Sequence, residues 1–204
     1  SFFLYLTYQF YFFLSNIYYI NNFLEYLKIE KRYSVHTLVS YESDLLQFDN
    51  YLSNVYDGVS LSFVEMLHVR SYMVELLELR LAKSSVARKI STIKSLYKFL
   101  KKEKVINSSP VQLLETPKID KRLPTFIKED EITNLFEEFK FEESFNGKRD
   151  KLILILLYQT GIRLSELIGL NDRDIRNQEI KVLGKRNKER IIPLSSITNI
   201  LVID

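Results

Sequence analysis

Apolar positions along this chain recur mostly by threes and fours. Leu38, Tyr41, Leu45, Phe48 and Leu52 form one such stripe, with Ser34 or Thr37 placed to cap its start, which predicts a helix packed by one face into a core. The stretch SFVEMLHVRSYMVELLELRL, Ser62 to Leu81, has the same period. A further helix follows it, opened by Ser84 and Ser85, whose hydroxyls suit free backbone N–H groups. In that helix Val86, Ile90, Ile93, Tyr97 and Leu100 share one stripe, while Arg88, Ser91, Ser95, Lys98 and Lys102 share the opposite arc.

Three prolines then cluster at Pro110, Pro117 and Pro124. Each blocks helix continuation and biases its predecessor toward extended backbone, so the segment reads as a linker between domains. Beyond it, KEDEITNLFEEF predicts a helix whose early acids favour the positive end of its dipole. KRDKLILILLYQT predicts a longer one, apolar all round from Leu152 to Leu157 and therefore expected to be buried, with Gly161 as a left-handed cap. Arg163 then opens a short helix, with Glu166 three residues on and on the same side. After Asn171 the period drops to two: EIKVL, GKRN and KERIIPL predict a β-hairpin with a glycine-containing turn.

The first twenty residues stand apart. SFFLYLTYQFYFFLSNIYYI is aromatic and aliphatic, and no charge occurs before Glu25. A signal peptide would have a basic start and a small-residue cleavage site, and a membrane span of roughly 20 apolar residues fits poorly around Gln9, Ser15 and Asn16. The segment reads as an apolar leader upstream of the domain proper, and a membrane anchor is the weaker alternative. The expected organisation is a leader at 1–20, a helical domain at 21–107, a Pro-rich linker at 108–127 and a second domain at 128–204.

Composition narrows the chemistry. A net charge of +3 is too small to argue for a polyanionic partner from the average, so positive charge has to be concentrated locally. It is: Glu103 is the sole acid between Arg80 and Lys104, a segment otherwise crowded with lysine and arginine. A merely solvated face mixes signs through i,i+4 pairs, whereas serines among cations suit phosphate oxygens. The absence of cysteine excludes disulfides, thiolate metal clusters and a cysteine nucleophile, and suits a reducing cytoplasm.

Four stretches together, YQTGIRLSELIGL, KVLGKRNKERIIPL, TLVSYESDLLQFDNYL and RKISTIKSLYKFLKKEKVINSSPVQLLETPK, resemble the tyrosine recombinases of the Xer and phage-integrase family, over nearly everything from Asn22 onward. The resemblance implies a mainly α fold: an N-terminal helical bundle, the SAM-like core-binding domain, joined to part of an α+β catalytic domain with a small β-hairpin sheet. It implies that Arg163 is the first catalytic arginine, gripping the scissile phosphate. A planar guanidinium suits that role, since it can make two parallel bonds to phosphate oxygens as transition-state charge builds. Lys185, in the hairpin turn, corresponds to the lysine that protonates the departing 5′-oxygen. Glu166 corresponds to an acid that braces the site, and Lys188 and Arg190 to secondary phosphate contacts. The basic arc of Arg88, Ser91, Ser95, Lys98 and Lys102 is then the surface for double-stranded DNA. Family members assemble as homo- or hetero-tetramers on DNA and use no metal and no cofactor.

Read singly, each residue has a plainer explanation. Arg163 could be a helix-opening residue paired with Glu166, and Lys185 a surface turn lysine; His36 and His68 belong to helix surfaces. There are also departures. The family's later His-x-x-Arg element and attacking tyrosine have no counterpart here, Tyr158 being the last tyrosine, and Arg186 stands where a second turn glycine is usual. These departures predict a fragment that binds DNA weakly, does not cut it, and exposes apolar surface around Leu152 to Leu157. A non-enzymatic DNA-binding module or antagonist is the alternative. Chromosome-dimer resolution and mobile-element integration are equally compatible with these residues.

Overall fold

The computed structural model of the chain describes residues 2–118, 127–184 and 188–203. The chain divides into two compact units, Ser1–Leu123 and Pro124–Asp204.

The first unit is helical: α1 (Phe2–Ile29), α2 (Val35–Val55), α3 (Met66–Glu78) and α4 (Lys83–Lys102). Helix α4 lies at its centre and touches each of the other three. The whole predicted α4 stripe is buried, as are Leu45, Phe48 and Leu52 of α2, while Leu38 and Tyr41 pack partly buried at the cluster's edge. Ser34 caps α2, its hydroxyl accepting from the Thr37 N–H. Helix α4 differs from expectation at its start: Ala82 holds the cap position and neither Ser84 nor Ser85 caps it. Helix α3 starts later than the apolar period, at Met66, because Glu65 takes the cap position. Its backbone N–H donates to His68 Nδ1 at 2.9 Å, which gives His68 a structural task.

The expected start of the family domain, residue 21, lies within a helix. Helix α1 runs through it unbroken, and Asn16 is buried within the bundle. The Asn16 amide donates to Asp49 Oδ1 at 2.7 Å and to the Val59 carbonyl at 2.9 Å, and its oxygen accepts from the Leu61 N–H at 2.7 Å. One polar residue inside an apolar run thus ties down the α2–α3 connection. Among the described residues no helix is long and apolar enough to cross a membrane. At the other end, Val111 and Leu114 join the same core, and Lys94 Nζ donates to the Leu114 carbonyl at 2.6 Å. The start of the Pro-rich segment is therefore part of the helical unit; residues 119–126 lie outside the described residues.

The second unit contains α5 (Glu129–Glu138), α6 (Phe145–Thr160), α7 (Leu164–Ile168), a 3-10 turn at Asp172–Asp174, strands β1 (Ile175–Arg176), β2 (Glu179–Leu183) and β3 (Glu189–Pro193), and α8 (Ser196–Ile203). The strands form one antiparallel sheet in the order β1-β2-β3, with Val182 opposite Arg190 and Leu183 opposite Glu189. The hairpin is the expected one. Strand β1 was not expected; it joins β2 through Asn177 and Gln178, both at positive φ (52° and 63°), the geometry of a two-residue hairpin turn that follows strand twist. The core here is small: Leu156, Ile162, Ile180, Val182 and Leu194. Helix α6 is not buried all round. Ile155 and Leu156 are buried, whereas Leu154 is exposed and Leu152, Ile153 and Leu157 lie between. Gly161 ends α6 at φ 60°, as its position predicted.

Candidate DNA interface and catalytic arginine

Arg163 stands at the cap position of α7, delivered there by the left-handed turn at Gly161. Glu166, one helical turn on, folds back beneath it. Its carboxylate is 4% exposed and accepts four hydrogen bonds: from the Arg163 backbone N–H (2.9 Å), Arg163 Nη1 (2.9 Å), Arg190 Nη1 (2.7 Å) and Arg190 Nη2 (2.8 Å). Strand pairing supplies the last two, because register fixes Arg190 on β3 opposite Val182. The Arg190 guanidinium, and after it the Arg163 backbone N–H, hold the Glu166 carboxyl down at about 2. This group is therefore an anion at any working pH.

The two arginines are used differently. Arg190 makes a two-pronged pair with the carboxylate, so both its terminal nitrogens are occupied. These two bonds brace Glu166. Arg163 uses one terminal nitrogen and leaves its side chain 65% exposed. Among the described residues its Nη2 and Nε have no partner, so an oriented guanidinium edge faces solvent. Gly184 fits closely over this group: a Cβ there would lie 3.3 Å from Arg190 Nη1 and from Glu166 Oε1, so a side chain would press on the pair. The Gly184 N–H also closes the hairpin by donating to the Lys188 carbonyl at 2.8 Å. The Lys188 side chain is exposed. Lys185, the expected general acid, and Arg186 lie outside the described residues.

On α4 the predicted basic arc is only partly available. Ser91 and Lys98 are exposed, and Ser95 is half-buried with its hydroxyl donated back to the Ser91 carbonyl at 2.9 Å. Lys102 bonds Glu30 at 3.1 Å and sits 4.3 Å from the Tyr26 ring centre, so it links α4 to α1. Arg88 pairs through Nη1 with Asp44 of α2. The missing compensating acids of α4 thus come from α2 and from the turn after α1. Two residues of this arrangement escaped the sequence pattern, Asp44 and Lys89. The signal for them was present: Asp44 lies on the apolar stripe between Tyr41 and Phe48, and Lys89 on that between Val86 and Ile93. An acid and a base at core positions of two helices have to meet each other or a comparable partner.

Residues 20–104 match the phage integrase N-terminal SAM-like domain, and residues 125–203 match the phage integrase family. The chain is 40% identical over 178 residues to tyrosine recombinase XerC of Staphylococcus carnosus, covering 86% of this chain and 59% of that protein. It belongs to the tyrosine recombinase family. With XerC of Bacillus subtilis the identity is 38% over 182 residues, covering 87% of this chain and again 59% of the relative. The chain thus spans about three-fifths of the length of the curated relatives it matches. Among solved structures, a lambda integrase (75–356) dimer bound to a COC′ core site superposes with TM-score 0.66 at 18% identity, over 86% of this chain and 58% of that one. The Tn1549 transposon integrase in complex with circular intermediate DNA gives 0.65 at 14% identity, over 90% and 62%. At such identities these two likenesses establish the recombinase fold. The mainly helical first unit and the small antiparallel sheet of the second are its expected parts.

Proposed function

We propose that this chain is the DNA-clamping unit and the first part of the catalytic unit of a site-specific recombinase that cuts and rejoins double-stranded DNA in the cytoplasm. The observation that carries this reading is the Arg163 guanidinium, held by a buried carboxylate on one nitrogen and, among the described residues, without a partner on the rest. Fixed beforehand, it loses little freedom on meeting a phosphate, and it neutralises charge as the phosphorus becomes five-coordinate. Lys185 is proposed as the proton donor to the leaving 5′-oxygen. Ser91, Ser95, Lys98 and Arg88 are proposed to follow the duplex backbone, with Lys188 a further phosphate contact. Assembly as a tetramer on DNA, the habit of the family, belongs to the same proposal. No tyrosine follows Tyr158 within these 204 residues, so this stretch assayed by itself is proposed to bind duplex without cleaving it.

The test is binding of a fluorescent mixed-sequence duplex to the 204-residue chain over a salt series. Affinity should fall linearly in log–log form, and Lys98→Ala should lower the slope by about one. A slope unmoved by that substitution, or binding indifferent to salt, would remove the α4 face from the interface.

A further inference from the structure

The α4 face contains an arrangement that neither the family signature nor the catalytic reading uses. Asp44 is 1% exposed, and two cations from α4 converge on it: Lys89 Nζ reaches Oδ1 at 2.9 Å, and Arg88 Nη1 reaches Oδ2. Thr92 Oγ1 lies 3.1 Å from Oδ2, and Lys89 also donates to Gln47 Oε1 at 2.6 Å. Lys89 is itself 11% exposed and by charge is sufficient to balance the buried carboxylate. Arg88 is not needed for that balance. It is 50% exposed, and among the described residues Nη1 alone of its side-chain nitrogens has a partner.

We propose that Asp44 is a positioning residue for DNA binding: it fixes the plane of the Arg88 guanidinium so that the free edge meets a backbone phosphate. The inference rests on the reading of α4 as a DNA-facing helix. A long, rotamer-rich side chain on a surface loses entropy when it binds; anchored by one nitrogen to a carboxylate that cannot move, it has lost that freedom already. The planar fork is what makes this possible, because one arm can be committed while the other keeps its hydrogen bonds. One carboxylate against two cations leaves an excess positive charge at the surface, so the anchor does not cancel the attraction. Thr92 and Lys89 hold the carboxylate from the buried side, leaving Arg88 as its solvent-facing partner.

The proposal has a discriminating sign. Asp44→Asn deletes a negative charge beside the interface, and on charge alone it should tighten DNA binding. Positioning requires the reverse. The measurements are anisotropy with the same duplex at fixed salt, and thermal melting of each variant of the 204-residue chain. Asp44→Asn is expected to weaken binding about fivefold, as is Arg88→Ala, while the double variant should lose little beyond either alone. Arg88→Lys keeps the charge but has no second arm, and should bind as Arg88→Ala does. Binding by Asp44→Asn as tight as the unaltered chain, with the Arg88→Ala loss undiminished in its background, would overturn the inference. So would wild-type affinity in Arg88→Lys, a change at a half-exposed position that decides the matter if Asp44→Asn does not fold. An unaltered chain with no salt-dependent DNA binding, or a Lys98→Ala variant with the slope intact, marks failure of the underlying α4 reading instead.

Discussion

Asp44 and Glu166 are built on one plan, one in each unit of the chain. Each is a buried carboxylate that holds an exposed arginine by a single terminal nitrogen, and each takes a second cation to complete its shell. They differ in where the second cation sits. Lys89 is buried with Asp44 between α2 and α4, whereas Arg190 lies on a strand with its side chain 39% exposed. In the first unit the charge cluster is therefore part of the core, and in the second it roofs a small one. The same motif serves stability in one place and presentation in both.

Deleting each carboxylate should separate the two roles, and this is the largest effect expected. Asp44→Ala leaves Lys89 buried without a counter-charge, a situation that typically costs about 3 kcal/mol or more. Urea denaturation followed by circular dichroism should show the helical unit losing that stability. Glu166→Ala should destabilise its unit distinctly less, because both arginines can turn to water. Equal losses in the two variants would mean that burial of the second cation is not what distinguishes the sites.

The comparison also explains what could be read from the chain. Arg163 and Glu166 are three residues apart at a helix start, so spacing alone put them together, and Gly161 announced the turn that delivers them. Asp44 and Arg88 are on different helices, and periodicity along one helix says nothing of what faces it. Hence α4 looked uncompensated although Asp44 was waiting on α2 and Glu30 just past the end of α1. The leader is a related case. Twenty apolar residues average to a membrane-like segment, yet Asn16 among them makes three hydrogen bonds to residues far along the chain. Strand β1, two residues long, is too short to show a period at all.

Acid sharpens the comparison further, with a smaller effect. The Glu166 carboxyl is lowered from 4.5 to about 2 by Arg190 and Arg163, so its contribution to stability is complete above about pH 4.5 and is lost as pH falls toward 2. Asp49 behaves oppositely. Burial, opposed only in part by the Asn16 amide, pushes its carboxyl up, so the folded state binds its proton more readily and gains relative stability as pH falls through that raised value. Glu166→Gln should therefore flatten the acid loss of the second unit between about pH 4.5 and 2, whereas Asp49→Asn should remove a gain in the first. Denaturation midpoints check both signs, the Glu166 effect between about pH 4.5 and 2 and the Asp49 effect above its ordinary value of 3.8. An acid limb unchanged in Glu166→Gln would mean that the carboxylate is not held by its two arginines.

The smallest effect concerns the contact that lacks the plan's essential part. Lys102 and Glu30 are bonded at 3.1 Å, but both ends are more than half exposed. A hydrated carboxylate on a mobile side chain cannot fix a cation's direction, and an ammonium has no second arm to present in a set plane. Glu30→Gln should then leave the melting temperature within error of the unaltered chain. By freeing Lys102 from its competitor, it should tighten duplex binding slightly, about twofold, at low salt, and the gain should vanish as salt rises. Weakened binding in this variant would show that an exposed carboxylate can orient a cation as well as a buried one, and burial of Asp44 and Glu166 would lose its significance for the interface.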